Sequence, residues 1–123
     1  MDYNTAVRVL NKLYTHRIAH FFYNGFTITV AQQKNKWNVS TKVFICSPEE
    51  AAHLLSGVEL TEKWRLELMK CSLQYHDGAI HLSLDITPTI RYLALKELFA
   101  RYVELARHWR ESLTAHSPFL AIG

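Results

Sequence analysis

Apolar residues recur at Tyr3, Ala6, Val7, Leu10, Leu13, Tyr14, Ile18 and Phe21. This is the 3.6-residue spacing of an amphipathic helix, so a first helix is expected from Tyr3 to Phe21. The period breaks at Asn24-Gly25. Phe26, Ile28 and Val30 then alternate with Thr27, Thr29 and Ala31, the two-residue period of a half-buried strand. A polar stretch from Gln32 to Lys36 turns the chain. Beyond it, Trp37, Val39, Thr41, Val43 and Ile45 line one face of a second strand, and Asn38, Ser40, Lys42, Phe44 and Cys46 line the other. The two strands are expected to form a hairpin.

Ser47-Pro48-Glu49-Glu50 reads as a helix start. Ser47 can cap free amides, Pro48 suits the first helical position, and Glu50 can reach back to close a capping box. A short helix to about Leu55 follows. From Gly57 to Met69 the pattern is ambiguous: Val58, Leu60, Trp64, Leu66 and Leu68 suit an alternating strand, while Glu62 to Lys70 also suits a helical turn or two. A loop followed by a strand is the reading adopted. Cys71, Leu73 and Tyr75 next share a strand face, His76-Asp77-Gly78 supplies a turn, and Ile80, Leu82, Leu84 and Ile86 alternate on the return strand. Thr87-Pro88 repeats the cap-plus-proline pattern. It opens a helix to Ser112 with Leu95, Leu98, Phe99, Tyr102, Leu105, Ala106, Trp109 and Leu113 on its apolar side.

These elements amount to one α+β domain over residues 1–113, an antiparallel sheet flanked by helices in the order α-β-β-α-(β)-β-β-α. Residues 114–123 form a C-terminal tail, mobile unless Phe119 and Leu120 dock. The return strand is expected to pack Ile80, Leu82, Leu84 and Ile86 against Leu98, Phe99 and Tyr102. Composition agrees with a globular domain: 123 residues, 49% hydrophobic and 20% charged. No apolar run approaches the ~20 residues of a membrane span, and the N-terminus lacks a secretory layout, so a soluble, non-exported chain is expected. Cys46 and Cys71 are too few for a disulfide framework and read as buried reduced thiols of a cytoplasmic protein.

Candidate chemistry is sparse. The net charge of +3 invites a nucleic-acid reading, but cations beyond Arg91 alternate with acids, with Glu97/Arg101 and Arg107/Glu111 at i,i+4, as on a solvated helix face. Lys34 and Lys36 beside Trp37 suit phosphate contact and base stacking, though a polar hairpin turn explains them more simply. His16 and His20 fall at i,i+4 without a matching ligand set, so no metal is expected. His76, Asp77 and Ser83 lack the nucleophile turn of a hydrolase. No catalytic residue, enzyme activity or cofactor is assigned.

Three segments carry a family resemblance: "NTAVRVLNKLY" as first helix, "KCSLQYHDGAIHLSLDI" as late hairpin, and "ALKELFARYVELARHWRESL" as last helix. In this layout the chain resembles, over almost its whole length, the small customised chaperones and co-chaperones of type III secretion. The resemblance implies a bacterial cytoplasmic protein that binds a secreted effector or gatekeeper protein, as a homodimer or with a second small chaperone. A basic chain suits an acidic partner, which favours the heterodimer. An adaptor or regulatory α+β domain unrelated to secretion is the alternative. Trp64, Leu66 and Leu68 are expected at a subunit interface, the alternative being core. Phe44, with Phe22 and Phe26 near it in the chain, is expected to hold the client, unless the sheet is buried on both faces.

Overall fold

The computed structural model describes residues 3–87 and 91–117. Pro88, Phe119 and Leu120 lie outside the described residues, as do the side chains of Tyr3, Ala6 and Tyr14. The elements run α1 (Tyr3–His16), β1 (Ile18–Tyr23), β2 (Phe26–Gln33), β3 (Lys36–Ile45), α2 (Pro48–Thr61), α3 (Lys63–Met69), β4 (Cys71–His76), β5 (Ala79–Ile86) and α4 (Tyr92–His116).

The first helix is shorter than its periodicity suggests, and a strand follows it. Arg17 takes a left-handed conformation at φ 62°. Its N–H bonds the Leu13 carbonyl at 3.1 Å and its own carbonyl accepts from Gln32 N–H at 2.7 Å, so one residue closes α1 and opens the β1–β2 ladder. Ile18 and Phe21 extend the helical spacing only by coincidence. The run Ile-Ala-His-Phe-Phe-Tyr is rich in aromatics and is closed by Asn24-Gly25, both at positive φ (47° and 90°), the two-residue turn that matches strand twist. Asp77-Gly78 closes β4 onto β5 in the same way, at 49° and 75°.

The five strands form one antiparallel sheet in the order β1-β2-β3-β5-β4. Cross-strand partners Phe21, Ile28, Thr41, Leu82 and Leu73 share the inner face. Val9 and Leu13 of α1, Ala51, Leu54 and Val58 of α2, and Leu95, Phe99, Tyr102, Val103, Ala106, Trp109 and Leu113 of α4 join that face in one core. As expected, Ile80, Leu82, Leu84 and Ile86 are all buried there. The Tyr102 hydroxyl donates to the Leu82 carbonyl at 2.6 Å, fixing α4 on the sheet.

The face assignment of β3 holds from Trp37 to Val43 and then reverses. Lys42 pairs with His81 but Phe44 with Ile80, so Val43 is an extra residue in the strand. A one-residue bulge inverts the alternation beyond it. Phe44 therefore turns inward, half-buried against the core, while Ile45 is 79% exposed instead of core-facing.

Ser47 caps α2 as expected, its Oγ accepting from Glu50 N–H at 3.2 Å, with Pro48 at the first position. The Glu50 carboxylate does not complete a capping box; it accepts from the Ser117 hydroxyl at the far end of α4, both residues being buried. The segment beyond Leu55 is helical, contrary to the expected loop and strand: α2 runs to Thr61, and α3 follows after a break at Glu62 (φ −134°). Glu59 and Glu67 flank Lys63 at 3.1 and 3.9 Å, the i,i+4 pairs of a helix surface, and Lys70 at φ 55° ends the run. The chain order is thus α-β-β-β-α-α-β-β-α. The last helix begins at Tyr92, with Arg91 at its cap position, so Thr87 does not cap it. It extends past Ser112 to His116, over the first residues of the expected tail.

Candidate binding surfaces

Trp37 is 2% exposed in the core, so it offers no ring for base stacking, and Lys36 is paired with Asp85 at 2.8 Å. Arg17 separates His16, in α1, from His20, in β1, so the two are not an i,i+4 pair of one helix. His76 Nδ1 lies 3.2 Å from Asp77, but the Ser83 hydroxyl accepts from Asn38 at 2.8 Å and the His76 ring stacks on His81. Among the described residues no three His, Cys, Asp or Glu side chains are grouped to hold a metal ion. The Cys71 thiol is buried, which pushes its pKa up to about 11, and the half-buried Cys46 thiol is raised by burial and by Glu50. Thiolate chemistry is suppressed at both.

The three residues expected to hold a client separate in the structure. Phe22 is 72% exposed on β1, on the outer face of the sheet. Phe26 is buried, with the Arg110 guanidinium 3.9 Å above its ring, and Phe44 is half-buried against the core. Neither of these two presents a free aromatic surface. Ile18, which the helical reading hid, is exposed on the same strand face as Phe22, since residues i and i+4 of a strand point the same way. β1 is an edge strand and pairs with β2 alone among the described strands.

Trp64, Leu66 and Leu68 do not form one row, because α3 is a helix. Leu66 turns to the core, whereas Trp64 and Leu68, at i,i+4, remain exposed. Leu60, 86% exposed and four residues before Trp64, is a further exposed apolar side chain at the end of α2. The Arg65 guanidinium lies 4.6 Å from the Trp64 ring and pairs with Glu62 at 3.1 Å. Glu62 also accepts from Ser112 at 3.2 Å and lies 3.3 Å from His108, tying the α2–α3 break to α4.

No protein-family model matches the chain, and no curated protein matches its sequence. Solved structures do. A chain of the ExsC-ExsE complex aligns with a TM-score of 0.62 at 13% identity, covering 92% of this chain and 97% of that one. A chain of the HopA1-SchA chaperone-effector complex aligns at 0.60 and 15% identity, covering 90% and 98%. A chain of the heterodimeric ExoU-SpcU complex from the type III secretion system of Pseudomonas aeruginosa aligns at 0.55 and 14% identity, covering 87% and 85%. The fold is therefore that of the small type III secretion chaperones, as the sequence resemblance implied. Among the described residues no helix is long and apolar enough to cross a membrane.

Proposed function

We propose that the protein is a non-catalytic binding protein, a type III secretion chaperone or co-chaperone that holds an extended segment of a secreted effector or gatekeeper protein in the bacterial cytoplasm. The observation that carries this reading is the edge strand β1, which presents exposed Ile18 and Phe22 on a fold shared with chains of effector complexes. An edge strand offers unpaired amides and carbonyls to a further strand, and alternate side chains of that strand fall beside Ile18 and Phe22. Holding a segment extended in this way requires no nucleotide. Exposed Leu60, Trp64 and Leu68 support assembly with a second subunit, and the net charge of +3 favours an acidic partner chaperone over a second copy.

The test is affinity capture from the native cytoplasm with identification of the bound proteins, repeated with Phe22→Glu. The expected result is a secreted protein held by the wild type and lost by the variant, the variant's circular dichroism and melting temperature being unchanged. The loss should be about 2 kcal/mol, the size of a hot-spot truncation. Recovery of nucleic acid alone, or undiminished capture by the variant, would refute the assignment.

A further inference from the structure

The outer face of the sheet carries a second surface, separate from the β1 edge. At the end where Asn24-Gly25 and Asp77-Gly78 turn, the two hairpins border an open cleft of about 580 Å³. Its floor is made of short hydroxyl side chains, Thr27, Thr29 and Ser40, with Lys42 beside them, and Arg110 of α4, whose guanidinium lies over Phe26, also borders it. No Phe, Tyr or Trp lines it.

We propose that this cleft binds an acidic, extended segment of a partner protein. Lys42 and Arg110 are both exposed cations, and Arg110 is held in position by its stacking on Phe26, so little side-chain freedom remains to be lost on binding. The Asp77 carboxylate, the one acidic group of the lining, lies 3.2 Å from His76 Nδ1 and is itself well exposed to solvent. His76 and His81 stack at 4.1 Å and add imidazole groups on the same side. Cations and hydroxyls spread over a cleft of this size suit several carboxylates on one chain better than one small anion. The rings of the lining, His76 and His81, are stacked on each other, which leaves less open ring face for a base than a Phe, Tyr or Trp platform would. This site is independent of whether a client occupies β1.

The test is a titration of the isotopically labelled 123-residue chain with a hexaglutamate peptide at low salt, followed by backbone amide resonances. The expected shifts centre on Thr27, Ser40, Lys42 and His81. Lys42→Glu should weaken binding about tenfold or more, whereas Lys34→Glu, the same charge change in the β2–β3 turn at the opposite end of the sheet, should alter it by less than about twofold. Absent shifts, shifts centred elsewhere, or equal weakening by both variants would overturn the proposal. Displacement of the peptide by equimolar inorganic phosphate, or by a thymidine oligonucleotide, would overturn it in favour of a small-anion or nucleic-acid site.

Discussion

Leu84 shows how much a single position carries. It is 4% exposed, pairs with Val39 on one side and Cys71 on the other, and sits in the inner layer that α4 covers. An aspartate there would sit between Val39 and Cys71, and burying an unpaired charge costs about 3 kcal/mol or more, a large share of a small domain's stability. Leu84→Asp is expected to abolish cooperative unfolding in a thermal melt. A native melting temperature would show that the strand faces outward. Tyr102 is a polar counterpart: its hydroxyl is satisfied by the Leu82 carbonyl, and burial pushes its pKa well above the ordinary tyrosine value, so it is a neutral donor at all physiological pH.

At the scale of elements, the β4–β5 hairpin carries an acid-sensitive joint. His81 is 8% exposed and stacked on His76, whose carbonyl its Nε2 meets at 3.1 Å. Burial first, and then the neighbouring His76 ring, hold the His81 imidazole below its ordinary pKa. The folded chain thus binds fewer protons at His81 than the unfolded chain. Its contribution to stability is intact above the unfolded value of about 6.5 and is lost as pH falls from there through the lower folded value. Asp85, lowered by hydrogen bonds from Asn38 and Lys36, loses its contribution only below its ordinary 3.8. Between pH 7 and pH 5 the melting temperature should therefore fall, and fall less in His81→Gln. An equal fall in both proteins would remove His81 as the cause.

For the whole molecule, Leu60, Trp64 and Leu68 are the large exposed apolar side chains of α2 and α3. The α2–α3 break beside Trp64 is braced by Glu62, through Arg65 and Ser112, so truncating the exposed ring should leave the break intact. Trp64→Ala is expected to weaken association by about 2 kcal/mol in light scattering or sedimentation, with circular dichroism unchanged. A wild-type chain that stays monomeric alone and with its captured partner would sink the interface. A stable homodimer at low concentration would instead overturn the preference for an acidic second chaperone.

Local patterns carried much of this fold. The alternation of β2, the inner face of β3 as far as Val43, the β4–β5 hairpin, the cap at Ser47 and the stripe of α4 are each set by neighbours within a few residues, where period and turn chemistry decide. Where two local readings compete, the chain alone does not choose. Ile18 and Phe21 suit a helix by spacing and a strand by residue type, and the choice falls to Arg17, whose left-handed turn is held by a hydrogen bond from Gln32 across the sheet. Leu66 and Leu68 suit a strand by alternation and a helix by the i,i+4 charges around them, and the packing of Leu66 on the core and the hydrogen bond of Glu62 with α4 go with the helix. Phe44 faces inward because of a single extra residue, which is defined only relative to the pairing of β3 with β5. The candidate sites were the least legible part for the same reason. Exposure of Phe22, burial of Phe26 under Arg110, the free edge at β1 and the cleft between two hairpin turns all depend on which distant segments meet, and tertiary packing alone decides that.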